Sequence, residues 1–194
     1  MKSNSDDVIE KIRATFLTLL ASKPYKQITF KEIAAESGMT RQNLYYYYKS
    51  KENVLEDIIE EFFSLMYEEM VNFDLSKLGE SSQDELGKAL LMAIVNALKE
   101  HEDIARRLFA RDVNIIFINK MVAFFNRILG SLIRAQNLTV NDPKYIHYLA
   151  LQMAGSSFLP MREWLLVDRD FPAERIVELA QPMTKQIIQA LKDN

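Results

Sequence analysis

The chain contains no cysteine, which excludes disulfides and thiolate metal sites. It has only two histidines, His101 and His147, far apart in sequence. His101 adjoins Glu102 and Asp103 and reads as the start of a helix with an acidic first turn; His147 reads as a surface or interface residue. No metal ligand set and no cofactor are expected. A Gly-rich phosphate loop is also absent. An enzyme would need a nucleophile with its base, paired carboxylates or a metal cluster, and these absences argue against catalysis. Glycine and proline are scarce, five each, and strand-like alternation is missing. The longest apolar stretch, Val113 to Ile133, is interrupted by Asn114, Asn119, Lys120, Asn126 and Arg127. A buried helix accounts for it better than a membrane span. The opening residues MKSNSDDVIEKIRATF lack the continuous apolar run of a signal peptide, so the cytoplasm is the expected compartment.

What is present is helical periodicity almost throughout, in 194 residues that are 48% hydrophobic with a net charge of −3. That is enough chain to bury a core. The expected fold class is all-α with about nine helices. The first runs from Asp6 to Ser22 and is broken by Lys23-Pro24-Tyr25. Two short helices follow, and a long fourth one spans Ser50 to Phe73, with Ser50 as N-cap. A polar loop is expected from Asp74 to Asp84. Further helices are expected at Asp84–Glu100, Glu102–Ala110, Asp112–Gln136, Pro143–Leu166 and Ala173–Lys192. Pro160 and Pro182 should kink the last two or mark local irregularity.

The most informative segment is Thr29 to Leu55, TFKEIAAESGMTRQNLYYYYKSKENVL. Ile33, Ala34, Met39, Leu44 and Tyr47 are spaced so that two crossing helices bury one shared face, and Ala34 is small enough for close approach. Gly38 stands where the chain must reverse, and glycine adopts positive φ at little steric cost. Thr40 supplies an N-cap hydroxyl for the next helix. This is the layout of a helix-turn-helix, whose second helix enters the DNA major groove. The face left outside carries Thr40, Arg41, Gln42, Asn43, Tyr45 and Tyr46. Arg and Gln can pair with guanine and adenine edges, and Tyr and Lys suit phosphate oxygens. An acidic pI near 5.5 does not conflict with this. From Lys23 to Lys51 the segment carries Lys23, Lys26, Lys31, Arg41, Lys49 and Lys51 against Glu32 and Glu36. Screening over about 8–10 Å lets that local field act on its own, with a moderate salt slope for binding.

With these residues in view, the chain resembles the tetracycline-repressor (TetR) family of bacterial transcriptional regulators. The likeness rests on Thr29, Ile33, Ala34, Gly38, Met39, Thr40, Leu44, Tyr45, Tyr48, Lys51 and Leu55, and spans Ile9 to about Ile59. Two departures are Lys49, where many members carry proline, and Tyr46-Tyr47, where basic residues or histidine are common. The resemblance implies a helix-turn-helix domain over residues 1–50 and an effector-binding and dimerisation domain over 51–194. It implies an aromatic core position at Tyr48 and a repressor that binds a palindromic operator as a homodimer and is released by a small hydrophobic effector. The expected DNA-binding set is Thr29, Thr40, Arg41, Gln42, Asn43, Tyr45, Tyr46, Lys49 and Lys51.

Family members dimerise through their last two long helices. Here the last helix puts Ile176, Leu179, Ala180, Met183 and Ile187 on one stripe, and the helix before it carries the small residues Ala150, Ala154 and Ser157. These are the expected dimer contacts, although an intrachain core would use the same stripes. The resemblance also implies a cavity enclosed by helices five to eight, with Met92, Asn96, Phe109, Phe117, Met121, Phe124, Tyr148, Gln152 and Met153 as candidate lining. A largely apolar wall with few polar groups suits a small molecule, and plain core packing suits the same residues.

Overall fold

The computed structural model of the protein describes residues 4–72, 83–109, 114–135 and 137–193. Among these it forms α1 (Asn4–Ser22), a short 3-10 turn (Tyr25–Gln27), α2 (Phe30–Glu36), α3 (Arg41–Tyr47), α4 (Lys51–Asn72), α5 (Gln83–Glu100), α6 (Glu102–Phe109), α7 (Asn114–Ala135), α8 (Pro143–Leu166) and α9 (Ala173–Lys192). The all-α expectation holds, and the bounds of α8 and α9 coincide with those expected. Gln83 and Asp84 already belong to α5; most of the expected polar loop, and the helix ends placed at Phe73, Ala110, Asp112 and Gln136, lie outside the described residues.

Local chemistry sets the helix starts. Thr29 and Glu32 form a reciprocal capping box on α2. Thr40 caps α3, and the Asp142 carboxylate accepts from the Lys144 N–H (2.9 Å) at the head of α8, where Pro143 opens the first turn. The indole of Trp164 is 2% exposed and donates to the Phe171 carbonyl (3.0 Å), which fixes the connection from α8 to α9. α8 and α9 run on through Pro160 and Pro182. Each proline has no N–H to give the carbonyl four residues back, so Ser156 and Glu178 lose that helical partner.

The elements pack in two groups, with α4 and α6 in contact with both. α1, α2 and α3 pack with the first turns of α4 into a small reading head, around Ile12, Phe16, Ile33, Leu44, Val54 and Leu55. Farther along, α4 packs against α5 and α7; α7 lies against α8, and α9 against α5. The body is centred on phenylalanine. Phe117 is fully buried and meets Phe109 at 4.6 Å, Phe63 at 5.1 Å and Phe158 at 5.9 Å, while Phe63 stacks on Phe124 at 5.0 Å. α7 is long and apolar enough to cross a membrane by length and composition. Its Phe117, Met121, Phe125, Leu129 and Leu132 are instead buried within the bundle, as a core helix requires.

Candidate nucleic-acid interface and body cavity

The turn of the head is built from backbone geometry. Gly38 has φ +68°. The Gly38 N–H donates to the Ala35 carbonyl (3.0 Å) and the Met39 N–H to the Ala34 carbonyl (2.8 Å), which is the paired closure of a Schellman motif. Ser37 is wholly buried, and its hydroxyl donates to the Ile33 carbonyl at 2.6 Å, so no polar group is stranded there. At the other end of α2, the Glu32 carboxylate accepts from the Lys23 ammonium (2.6 Å) and the Thr29 N–H (2.9 Å). These hydrogen bonds, that from Lys23 first, hold its pKa down at about 2.

α3 turns one side inward and one side out. Leu44 is fully buried, Tyr47 is half-buried, and Tyr48 at its C-terminal cap is buried. Thr40, Arg41, Gln42, Asn43, Tyr45 and Tyr46 are all exposed, Tyr46 by 82%. The Thr40 hydroxyl accepts from the Asn43 N–H at 3.1 Å. Tyr45 rests on Phe30 (4.9 Å between rings), and Arg41 lies along Tyr45, 3.3 Å from its hydroxyl oxygen. Both long side chains are thereby partly ordered before any partner arrives, which lowers the entropy lost on contact. Lys26, Lys31 and Lys49 are also exposed on the head.

Lys51 has a different use from the one expected of it. Its ammonium donates to the carbonyls of Tyr25 (3.1 Å) and Ile28 (2.8 Å) and sits 4.4 Å over the Tyr25 ring. It pins the 3-10 turn to the first turn of α4 instead of pointing to solvent. Tyr25 in turn donates to Glu52 at 3.0 Å. Burial, reinforced by that carboxylate, pushes the Tyr25 phenol well above its ordinary range.

The sequence reading missed the group that fixes α3 against α4. The Arg13 fork in α1 donates to both oxygens of Asp57 in α4, each at 2.8 Å, and also reaches Glu61. The Tyr48 hydroxyl donates to the same Asp57 carboxylate. Burial alone would raise the Asp57 pKa, but the bonds from Arg13 and Tyr48 outweigh it and hold the carboxyl below its usual range. The one legible signal was Arg13 itself, a charge set among Ile9, Ile12, Phe16 and Leu17 on an apolar stripe. Such a charge needs a partner, but the partner lies 44 residues on, beyond any local spacing.

α6 connects head and body. Its Arg107 donates to the Leu17 carbonyl of α1 at 2.9 Å. At its other end Glu102 accepts from Arg169 (2.6 Å) and Arg106 (2.8 Å), which keep its carboxyl deprotonated below the ordinary range. Arg169 belongs to the α8–α9 connection and lies 4.2 Å over the Trp164 ring. His101 precedes α6, its carbonyl accepting from the Ala105 N–H at 2.9 Å, and His147 is exposed.

The body holds a cavity of about 270 Å³ between α5, α8 and α9, with Phe125 of α7 at its edge. Of the nine candidate effector residues only Met153 lines it. Phe109, Phe117, Met121 and Phe124 are buried, and a void beside Phe109, Met121 and Phe124 measures about 10 Å³. These side chains pack together in the hydrophobic core of the body. Asn96, Tyr148 and Gln152 are exposed and Met92 is half-buried. The cavity opens where α9, packed closely on α5, makes much less contact with α8.

The expected dimer residues also divide. Ala150, Ala154 and Ile187 face inward and are buried. Ser157, Ile176 and Ala180 are half-buried at the cavity, and Leu179 and Met183 are 74% and 38% exposed. On α8 the exposed apolar face is instead Tyr148, Leu151, Gly155 and Leu159, at helical spacing; a Cβ built on Gly155 would meet nothing within 4 Å. Of the small residues of α8, Ala150 and Ala154 pack within the body, and Gly155 lies on the exposed face.

A helix-turn-helix head carried on an all-helical body places the chain among helix-turn-helix proteins. Residues 12–58 match the model for bacterial regulatory proteins of the tetR family. It is 27% identical over 104 residues to the uncharacterized HTH-type transcriptional regulator YerO of Bacillus subtilis (strain 168), a match covering 54% of this chain and 36% of YerO. The chain spans 13% and 36% of the lengths of the curated relatives it matches. Its fold is similar to that of a putative TetR-family transcriptional regulator from Syntrophomonas wolfei str. Goettingen, with a TM-score of 0.68 at 18% identity over 95% of this chain and 96% of that one. It is also similar to Thermus thermophilus FadR, a TetR-family transcriptional repressor in complex with lauroyl-CoA, with a TM-score of 0.59 at 18% identity over 91% and 92% of the two chains. At these identities the structural likeness concerns the fold alone.

Proposed function

We propose that the protein is a cytoplasmic transcriptional repressor, without enzymatic activity, that binds a palindromic DNA operator as a homodimer and lets go when a small apolar effector binds. Residues 1–50 would read DNA and residues 51–194 would sense and dimerise. The observation that carries this reading is the division of α3: Leu44 and Tyr48 are locked into the head, and Thr40 to Asn43 with Tyr45 and Tyr46 stand outside. Arg41 and Gln42 are the base readers in this scheme. Thr40, Asn43, Tyr45, Tyr46 and Lys49 hold phosphates, with Thr29 at the second helix start.

Reading both halves of a palindrome needs two recognition helices about 34–36 Å apart. The exposed apolar faces of α8 and α9, Tyr148, Leu151 and Leu159 with Leu179 and Met183, are the surface on which a twin would set that distance. The effector would occupy the cavity of α5, α8 and α9. Movement of the α8–α9 connection would then reach the head through Arg169, Glu102 and Arg107 on α6. A ligand that favours the released state by about 1–3 kcal/mol would weaken operator binding roughly 5- to 150-fold. The lauroyl-CoA of the Thermus protein is not carried over: among the described residues no ionisable side chain lines this cavity to meet its phosphates.

Selection of bound sequences from random duplex DNA tests the reading. A palindromic consensus bound by a dimer is expected. Arg41→Ala should lose about 1–3 kcal/mol on that consensus and relax one position within it; an equal loss on every duplex would move Arg41 to a phosphate. A protein that stays monomeric and enriches no sequence would remove the proposal.

A further inference from the structure

The wall of the α5–α8–α9 cavity has an unusual polar inventory. Among the described residues its lining includes no charged side chain, and its polar side chains are the hydroxyls of Ser156, Ser157 and Thr184. Two of these spend their protons within their own helices: Ser156 donates to the Met153 carbonyl and Thr184 to the Ala180 carbonyl, each at 3.2 Å. Those two can offer a guest only a lone pair, while the Ser157 hydroxyl can donate as well as accept. Pro160, also in the lining, adds a stronger acceptor: it leaves the Ser156 carbonyl without its helical N–H, beside the cavity. Pro182 does the same for Glu178, but neither Pro182 nor Glu178 is among the residues that line the cavity. The wall is thus apolar, with acceptors outnumbering donors.

We propose that this cavity binds an uncharged molecule of about two fused rings that carries one hydrogen-bond donor, the donor pairing with the Ser156 carbonyl that Pro160 releases. The size follows from the volume: an apolar cavity of about 150 Å³ accommodates benzene, and this one measures about 270 Å³. The neutrality follows from the wall, since an ion transferred there would shed water with no counter-charge to replace it. The proposal deepens the effector reading given above by naming the chemical class of the ligand, and the binding half of it stands whether or not DNA responds.

The test uses the full chain, at neutral pH, with three naphthalene probes followed by fluorescence. 2-Naphthol should bind saturably, roughly 3- to 10-fold more tightly than 2-methylnaphthalene, the span that one net hydrogen bond contributes. Naphthalene-2-carboxylate should bind at least about tenfold more weakly than 2-naphthol. Pro160→Ala restores the helical bond to Ser156 and should bring 2-naphthol level with 2-methylnaphthalene. Ser157→Leu fills the wall and should weaken both neutral probes together. Carboxylate binding as tight as that of 2-naphthol would overturn the proposal, as would a naphthol preference that survives in Pro160→Ala. Probe uptake only on dilution to monomer would also overturn it, because the cavity would then be filled by the twin chain. Tight naphthol binding with operator affinity unchanged would support the ligand class and remove the effector role; loss of operator affinity with an anionic ligand alone would do the reverse.

Discussion

The reading head and the body are both helical, yet they are specified by different physics. In the head, directional contacts fix the geometry: the capping box of Thr29 and Glu32, the positive φ of Gly38, the Thr40 cap, and the Arg13–Asp57–Tyr48 group. Each demands a particular residue type at a particular place. In the body, interlocked rings around Phe117 set the packing, and many apolar residues would satisfy the same demand. A family pattern is accordingly legible over residues 12–58, whereas at 18% identity the likeness to solved structures over nearly the whole chain is one of fold. A surface that must match one partner constrains its residues individually; a core constrains mainly volume and polarity.

This contrast can be broken by mutation. Phe117→Ala should have the largest effect, about 3–5 kcal/mol of lost stability, because the ring is wholly buried among Phe63, Phe109 and Phe158. Phe117→Leu should recover most of it in a urea titration; a leucine variant as unstable as the alanine one would mean that the body is as residue-specific as the head. Arg13→Ala comes next. It strips a charged fork from Asp57 and Glu61, and about 1.5–3 kcal/mol should be lost. Arg13→Lys should recover only part, since an ammonium cannot reproduce the two-pronged bond. Full rescue by lysine in a thermal melt would reduce the group to simple charge balance.

Gly38→Val should cost about 1–3 kcal/mol. A Cβ there would meet only the end of Lys11, at 3.5 Å, so the penalty is one of backbone conformation rather than crowding. An unchanged melting temperature would show that the turn is less strict than its φ of +68° implies. The smallest effect is that of acid. Asp57 and Glu32 have folded pKa values below their ordinary ones, Glu32 at about 2. Their contribution is present above the unfolded value, near pH 4, and disappears as pH falls through the folded value. Melting temperatures should therefore decline between about pH 5 and pH 2, and the decline should be shallower in Asp57→Asn. Equal slopes in the two proteins would detach Asp57 from the acid sensitivity of the head.

Much of the head could be read directly. Thr40, Gly38 and Leu44 act within a few residues of their own positions, so spacing reveals them. Lys51 could not be read so well. A lysine at a helix start suits a phosphate, and only the fold shows that the carbonyls of Tyr25 and Ile28 already hold it. Ala150 and Ala154 were recognisable as small residues that permit close approach, but not which face of α8 they occupy.

By itself the sequence determined the helical class, most helix ends, the turn at Gly38 and the outward face of α3, because each rests on interactions among near neighbours along the chain. Tertiary structure alone decided the joining of Arg13 to Asp57, the meeting of phenylalanine rings around Phe117, and the opening of a cavity between α5, α8 and α9. Those depend on distances between helices remote in sequence, where a shift of one residue in facing exchanges a wall for a core.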